Sequence, residues 1–141
     1  MSQSWRFEEA SERARLGIDK VEAIGRAYLA FAHELPHFFD ACARFEACTP
    51  SGDVSSPSMQ CLEAGDRVHE HVVAAILQGQ KDGSIRTDLG DPMIASIALW
   101  GFSHGLLQIA MNKAQVLAHQ GIAVPKLVEQ SIAMFRLMLT P

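Results

Sequence analysis

Residues 83–107 read GSIRTDLGDPMIASIALWGFSHGLL, and this stretch decides the fold of the chain. Asp91 and Pro92 form a strong helix-start signal, because an aspartate caps free backbone N–H groups and a proline fits the first helical turn. From Pro92 to Asn112 the chain contains no Asp, Glu, Lys or Arg. A helix without a charged side must be covered on nearly every side. In a chain of 141 residues, such a helix indicates a partner.

The composition is that of one soluble globular domain. Hydrophobic residues make up 48% of the chain and charged residues 20%, which excludes a disordered protein. The length is enough for one core and short of a second. Lys and Arg number 12, against 16 Asp and Glu, and are scattered singly. The chain therefore has no basic stripe that would neutralise nucleic-acid phosphates.

Cysteine usage and the N-terminus predict a cytoplasmic protein. The three cysteines, Cys42, Cys48 and Cys61, are an odd number without CxxC spacing, which favours reduced thiols. The N-terminus lacks the basic and then apolar order of a signal peptide. The charge-free segment has roughly the ~20 residues that span a bilayer. Its polar and small residues, among them His104 and Gln108, argue against a transmembrane helix, so no membrane is expected.

The sequence predicts an all-α fold of about six helices, because turn signals divide it and no segment shows sustained strand alternation. Gly17 is expected to end a first helix and Asp19 to cap the second. Residues 49–58 form the clear loop, rich in Ser, Pro and Gly. The expected helices lie at about residues 4–16, from Asp19 to about Leu35, from Pro36 towards the loop, and at about 58–81, 91–119 and 125–139.

Helical spacing divides the 91–119 helix into two faces. Met93, Trp100, His104, Leu107 and Met111 share one face, and Ile94, Ala98, Gly101, Gly105 and Asn112 share another. The spacing of four between the two glycines lets another backbone approach closely, either within the subunit or from a second copy. The last two helices together are more apolar than one small core can absorb. This favours an isologous helical dimer.

Large apolar side chains with a few polar tips, drawn from four helices, have the make-up of a small-molecule pocket. A plain helical core has the same composition, so both interpretations remain open. The candidate ligand-binding residues are Phe31, Phe38, Phe39, Met59, Leu62, His69, Trp100 and His104.

Two inward-facing histidines, His69 and His104, support an alternative function, a helical metal- or haem-binding protein. A metal site usually adds a carboxylate or thiolate at matching spacing, and a buried imidazole is more often a satisfied core or pocket residue. We therefore expect neither a metal nor another cofactor. Enzyme signatures are also absent, since the chain has no Gly-rich phosphate loop and no Gly-x-Ser-x-Gly motif. We expect a protein that is not an enzyme.

These motifs resemble the C-terminal domain of tetracycline-repressor-like (TetR family) transcriptional regulators, in the subgroup marked by a Trp-x-x-x-His-Gly motif. The resemblance extends over about residues 19–139. It is carried by GSIRTDL at 83–89, Asp91 and Pro92, LWGFSHGL at 99–106, RAYLAFA at 26–32 and HELP at 33–36.

The resemblance implies an effector-sensing domain that binds a small hydrophobic or aromatic molecule among its middle helices. It also implies a homodimer formed through the last two long helices, at about 91–119 and 125–139. Such regulators carry a separate N-terminal helix-turn-helix domain, which residues 1–17 are too short to form. We expect residues 1–17 to be a linker-type helix and residues 18–141 to be the ligand-binding and dimerisation domain. DNA binding by this chain alone is not expected.

Overall fold

A computed structural model describes Glu9, residues 15–37 and residues 57–141, with side chains of the long second helix described from Glu63 onward. These residues form five α-helices and contain no strand, which confirms the all-α prediction. The helices are α1 Gly17–Glu34, α2 Pro57–Asp82, α3 Pro92–Asn112, α4 Ala114–His119 and α5 Val124–Leu139. Except for Glu9, Arg15 and Leu16, the predicted 4–16 helix lies outside the described residues, as do nearly all of the helix after Pro36 and residues 49–56 of the predicted loop.

Helix α3 begins as its sequence predicts. The Asp91 side chain accepts hydrogen bonds from the backbone N–H groups of Met93 (2.8 Å) and Ile94 (3.4 Å), and Pro92 occupies the first turn. The helix ends at Asn112, and after a break at Lys113 the chain continues as α4 to His119. The predicted single helix over 91–119 is therefore two helices in the structure.

The start of α1 differs from the prediction. The helix begins at Gly17, and Asp19 lies inside its first turn instead of capping it. The caps come from the turn after α2: Asp82 Oδ2 accepts from Gly17 N at 2.9 Å, and Ser84 Oγ accepts from Ile18 N at 3.2 Å. Hydrogen bonds from Ser84 and from the Gly17 backbone lower the pKa of Asp82. The cap of α1 thus comes from residues far away in the sequence and not from Asp19.

Helices α1 and α2 touch at the backbone. A Cβ placed on Gly17 would lie 2.1 Å from Gly79 N and 2.4 Å from Ala75 O. One core cluster surrounds this contact and includes Ile85, which follows the turn after α2 and is 1% exposed. The buried members of the cluster are Ile18, Ile24, Val72, Ile76, Ile85 and Leu139.

Ion pairs fix α5 against α1. Arg26 binds the Glu129 carboxylate through two nitrogens, at 2.8 and 3.0 Å. Arg136 Nη1 donates to Asp19 Oδ1 at 2.8 Å. The last turn of α5 is also held from the other side, since Arg86 N donates to Leu139 O at 2.8 Å. Helix α5 therefore has a defined position, although much of its apolar surface faces outward.

A wide apolar surface lies on α3 and α5. Ile94 on α3 is 67% exposed and Leu137 on α5 is 75% exposed. Large apolar residues that are also exposed on these two helices are Met93, Ile97, Phe102, Ile109, Met111, Val124, Met134 and Met138. By length and composition, α3 is the one helix in the described part of the chain that could cross a membrane. A core or interface helix of a soluble protein has the same properties, so this is a weak indication.

Candidate functional site

An aromatic and polar cluster lies where α1, α2 and α3 meet, with Trp100 of α3 at its centre. The His69 ring of α2 meets the Trp100 ring edge-on, with centroids 5.8 Å apart and planes at 85°. His104, one turn further along α3, is tilted against the same ring, also at 5.8 Å. Trp100 is thus flanked by both histidines that the sequence places on inward faces.

Tyr28 of α1 joins the cluster from the opposite side. Trp100 Nε1 donates a hydrogen bond to the Tyr28 hydroxyl oxygen at 3.2 Å, and His104 Nδ1 lies 3.4 Å from that oxygen. Phe31 and Leu107, 8% and 5% exposed, pack beside Tyr28 and form the apolar side of the cluster. The Tyr28 hydroxyl oxygen therefore contacts both Trp100 and His104 within a largely aromatic environment.

The polar contacts continue along α3 beyond His104. Gln108 Nε2 lies 3.4 Å from His104 Nε2, and Asn112 Nδ2 donates to Gln108 Oε1 at 2.6 Å. Both ring nitrogens of His104 thus face polar partners, Tyr28 at Nδ1 and Gln108 at Nε2. Four side chains of one helix are thus joined in a row, and the row meets α1 at Tyr28.

His69 is also held by a hydrogen bond. Its Nδ1 lies 2.7 Å from Ser96 Oγ, and Ser96 is 1% exposed. Burial lowers the pKa of His69 below its ordinary value, and the charge of Asp66 opposes this shift. The ring is therefore neutral at pH 7, and the pair is a hydrogen-bonded anchor.

The structure brings together four of the eight predicted site residues: Phe31, His69, Trp100 and His104. Phe38 and Phe39 lie outside the described residues, and Met59 and Leu62 are described only as positions on α2. Sequence reasoning missed Tyr28, Ser96 and Gln108 as members of the site. Tyr28 follows Ile24 by four residues and precedes Phe31 by three, the spacing of one buried helix face, and Gln108 follows His104 by four residues. Spacing was the signal that could have identified Gln108.

The metal- or haem-binding alternative is not favoured. Among the side chains described in residues 15–37 and 63–141, no group of three or more His, Cys, Asp or Glu is placed to hold a metal ion. His69 and His104 also direct their Nδ1 atoms to Ser96 and Tyr28. A lone imidazole committed to a neighbouring hydroxyl is a structural or pocket residue more often than a ligand.

The fold and the site together define the class of protein: an all-α domain with an internal aromatic and polar cluster and a broad exposed apolar face. The family described as tetracyclin repressor-like, C-terminal domain, matches residues 21–135. The chain belongs to this family, whose members are regulatory domains. The matched range contains the cluster and most of the exposed face.

A solved structure from Rhodococcus sp. RHA1, described as a protein with unknown function, has a similar fold. The match covers 99% of this chain and 67% of that chain, with a TM-score of 0.76 and 21% sequence identity. At this identity the similarity shows the fold alone. No curated protein matches the sequence.

Proposed function

We propose that this chain is the effector-sensing and dimerisation domain of a cytoplasmic TetR-family transcriptional regulator, and that it binds a small hydrophobic or aromatic molecule against Trp100. The observation that carries the proposal is the Trp100 cluster itself. A half-buried ring with hydroxyl and imidazole neighbours is suited to an amphipathic ligand, because apolar walls supply affinity and a few polar atoms fix orientation. Operator binding belongs, in this proposal, to a helix-turn-helix domain and not to these helices.

The chemistry of the cluster favours an uncharged or weakly polar ligand. Its polar groups are the Tyr28 hydroxyl, the Ser96 hydroxyl, the Gln108 amide and two imidazoles, of which His69 has a lowered pKa. A fully charged ligand would lose its hydration without gaining an ion partner from these groups. The aromatic walls favour a flat ring system that stacks on Trp100 or meets its edge.

The exposed faces of α3 and α5 support dimerisation through a second copy of the chain. Single exposed apolar residues are common on soluble proteins, but so many on two helices that meet at Phe102 and Phe135 support an interaction surface. Gly101 and Gly105 are open positions, because among the described residues nothing would lie within 4 Å of a Cβ at either one. Two such helices can therefore approach the same helices of a partner closely.

A thermal-shift screen of small aromatic amphipathic compounds tests ligand binding. A compound that binds the folded state raises the melting temperature, and the shift grows with the ratio of its concentration to its Kd. We expect a hit whose affinity falls at least about tenfold, roughly 1.4 kcal/mol, in Trp100→Leu. The matched control is Phe102→Leu on the same helix, since Phe102 packs on Phe135 (centroids 4.1 Å) away from the cluster. Hits that tolerate Trp100→Leu as well as Phe102→Leu would place the site elsewhere.

Sedimentation equilibrium at micromolar protein tests dimerisation separately. We expect a dimer for the wild-type chain. Leu137→Glu, which places a carboxylate at the most exposed apolar position of α5, should give a folded monomer because a charge buried at an interface is costly. A clean monomer for the wild type at this concentration contradicts the dimer half of the proposal.

A further inference from the structure

The polar row on α3 follows a single helical track. Trp100, His104, Gln108 and Asn112 are each four residues apart. An α-helix has 3.6 residues per turn, so each step of four advances about 40° around the axis. Over three steps the row therefore moves by about 120°. It begins on the face that meets α1 and α2, and it ends on the face that carries Gly101 and Gly105.

Consecutive members of the row are in contact. The rings of Trp100 and His104 lie 5.8 Å apart, the Gln108 amide nitrogen lies 3.4 Å from His104 Nε2, and Asn112 donates to Gln108 at 2.6 Å. His104 and Gln108 are half-buried and Asn112 is exposed. The rotamer of each side chain is thus tied to that of its neighbour, from the cluster to the surface.

The exposed end of the row lies on the surface assigned to the second copy. Ile94, which is 67% exposed, shares that helix face with Asn112, and Ile109, which is 44% exposed, borders it. Gly105 lies between His104 and Asn112 along the helix and leaves its side of α3 open. An amide buried in an apolar interface without a hydrogen-bond partner is costly. The Asn112 side chain must therefore hold an orientation that gives its amide a partner when a second copy covers it.

We infer that occupancy of the Trp100 site and self-association are coupled through this row. The inference rests on the proposed function. A ligand against Trp100 fixes the orientations of Trp100 and His104, and through them those of Gln108 and Asn112. Association of the occupied chain then loses less side-chain entropy. The ligand should therefore tighten the dimer, and by linkage the two sites of the dimer together should gain the same factor in ligand affinity.

The experiment measures that factor in the full chain with N-phenyl-1-naphthylamine, an uncharged aromatic fluorescent probe. The dimer dissociation constant is measured by sedimentation equilibrium without the probe and at saturation. We expect at least about a fivefold tightening for the wild type. In Gln108→Leu, which cuts the row, and in Asn112→Ala, which removes its exposed end, the factor should fall to about one when each variant at probe saturation is compared with its own probe-free dimer constant. Gln115→Leu, the same change at an exposed position of α4, should keep the wild-type factor.

The outcomes separate this inference from the proposed function. A wild type that binds the probe and dimerises with a coupling factor of one overturns the inference alone. So does a factor that survives both Gln108→Leu and Asn112→Ala. A chain that does not dimerise, or in which Trp100→Leu leaves probe binding unchanged, overturns the proposed function and the inference with it.

Discussion

His69 lies on the long helix α2 with its Nδ1 committed to the buried Ser96 hydroxyl, and its pKa is lowered by burial. Protonation is therefore more favourable in the unfolded chain than in the folded one. The stabilising contribution of the neutral ring is complete above the unfolded pKa of about 6.5. It is lost as the pH falls from there towards the folded pKa, and below that pKa no more is lost.

His69 should make the free energy of unfolding of the wild type fall between about pH 7.5 and pH 5. We predict that this fall is smaller in His69→Gln. The measurement is urea denaturation at several pH values and constant ionic strength. His119→Gln, an exposed substitution on α4, is the control and should retain the wild-type pH dependence because His69 is still present. Identical pH slopes for His69→Gln and the wild type would show that the His69 ring takes up its proton equally well in both states.

Trp100 is half-buried and not fully buried, which sets the expected cost of removing its ring. Fully buried Trp→Ala changes cost about 3–5 kcal/mol, so we predict about 2–3 kcal/mol for Trp100→Ala. Trp100→Phe retains most of the ring and loses the hydrogen bond to Tyr28, at a cost of about 1 kcal/mol. Circular dichroism during urea denaturation measures both. A loss below about 0.5 kcal/mol for Trp100→Ala would mean that the ring is not packed in solution.

At the scale of elements, the contact of α1 with α2 depends on Gly17. A Cβ there would lie 2.1 Å from Gly79 N, and backbone atoms cannot move aside as a side-chain tip does. We predict that Gly17→Ala destabilises the protein by about 3 kcal/mol, the upper end of typical overpacking. Gly25→Ala on the same helix is the matched control, because a Cβ there meets nothing within 4 Å. It should stabilise by roughly 0.5–1 kcal/mol through helix propensity.

Thermal and urea denaturation measure both glycine variants, and opposite signs are the expected result. Equal effects at the two positions would mean that α1 and α2 are not in backbone contact. Should Gly17→Ala fail to fold, its expression as insoluble protein beside soluble Gly25→Ala is the same result in stronger form.

The elements show what local sequence can predict. Asp91 and Pro92 predict the start of α3 correctly because a cap and its helix are adjacent in the chain. The start of α1 was predicted wrongly because its caps, Asp82 and Ser84, lie more than sixty residues away. The break at Lys113 was also missed. The surrounding residues of 109–119 continue the helical pattern, and no Gly or Pro marks the interruption.

The site was predictable to the extent that helical faces define it. His69, Trp100 and His104 were placed on inward faces by spacing alone, and the structure joins them. Tyr28 was placed on a buried face, but the partner of its hydroxyl is on another helix. Ser96 reads as an ordinary small residue in an apolar helix. Which polar tips meet across helices depends on tertiary packing, which periodicity does not encode.

At the scale of the whole molecule, the two sides of α5 have different surroundings. Its charged side is fastened to α1 by Arg26 with Glu129 and by Arg136 with Asp19. Its apolar side, with Met134, Leu137 and Met138, stays exposed. The ion pairs are too exposed to add much stability, but they fix which side of the helix faces outward. The exposed surface of α3 and α5 is therefore a positioned surface and not the result of loose packing.

The last prediction concerns Gly101 and Gly105 on that surface. Alanine at both positions should stabilise the isolated chain, because each Gly→Ala change in a helix interior gains about 1 kcal/mol and neither Cβ meets an atom of the chain within 4 Å. The same two methyl groups would keep a second copy from close approach, so the dimer should weaken at least about tenfold. Urea denaturation at low protein concentration measures the first effect and sedimentation equilibrium the second.

Gly25→Ala should stabilise the chain and leave the dimer unchanged. A double variant that is more stable as a chain but weaker as a dimer is expected only if the interface lies at the glycine face. A dimer as tight as that of the wild type would show that the interface lies elsewhere.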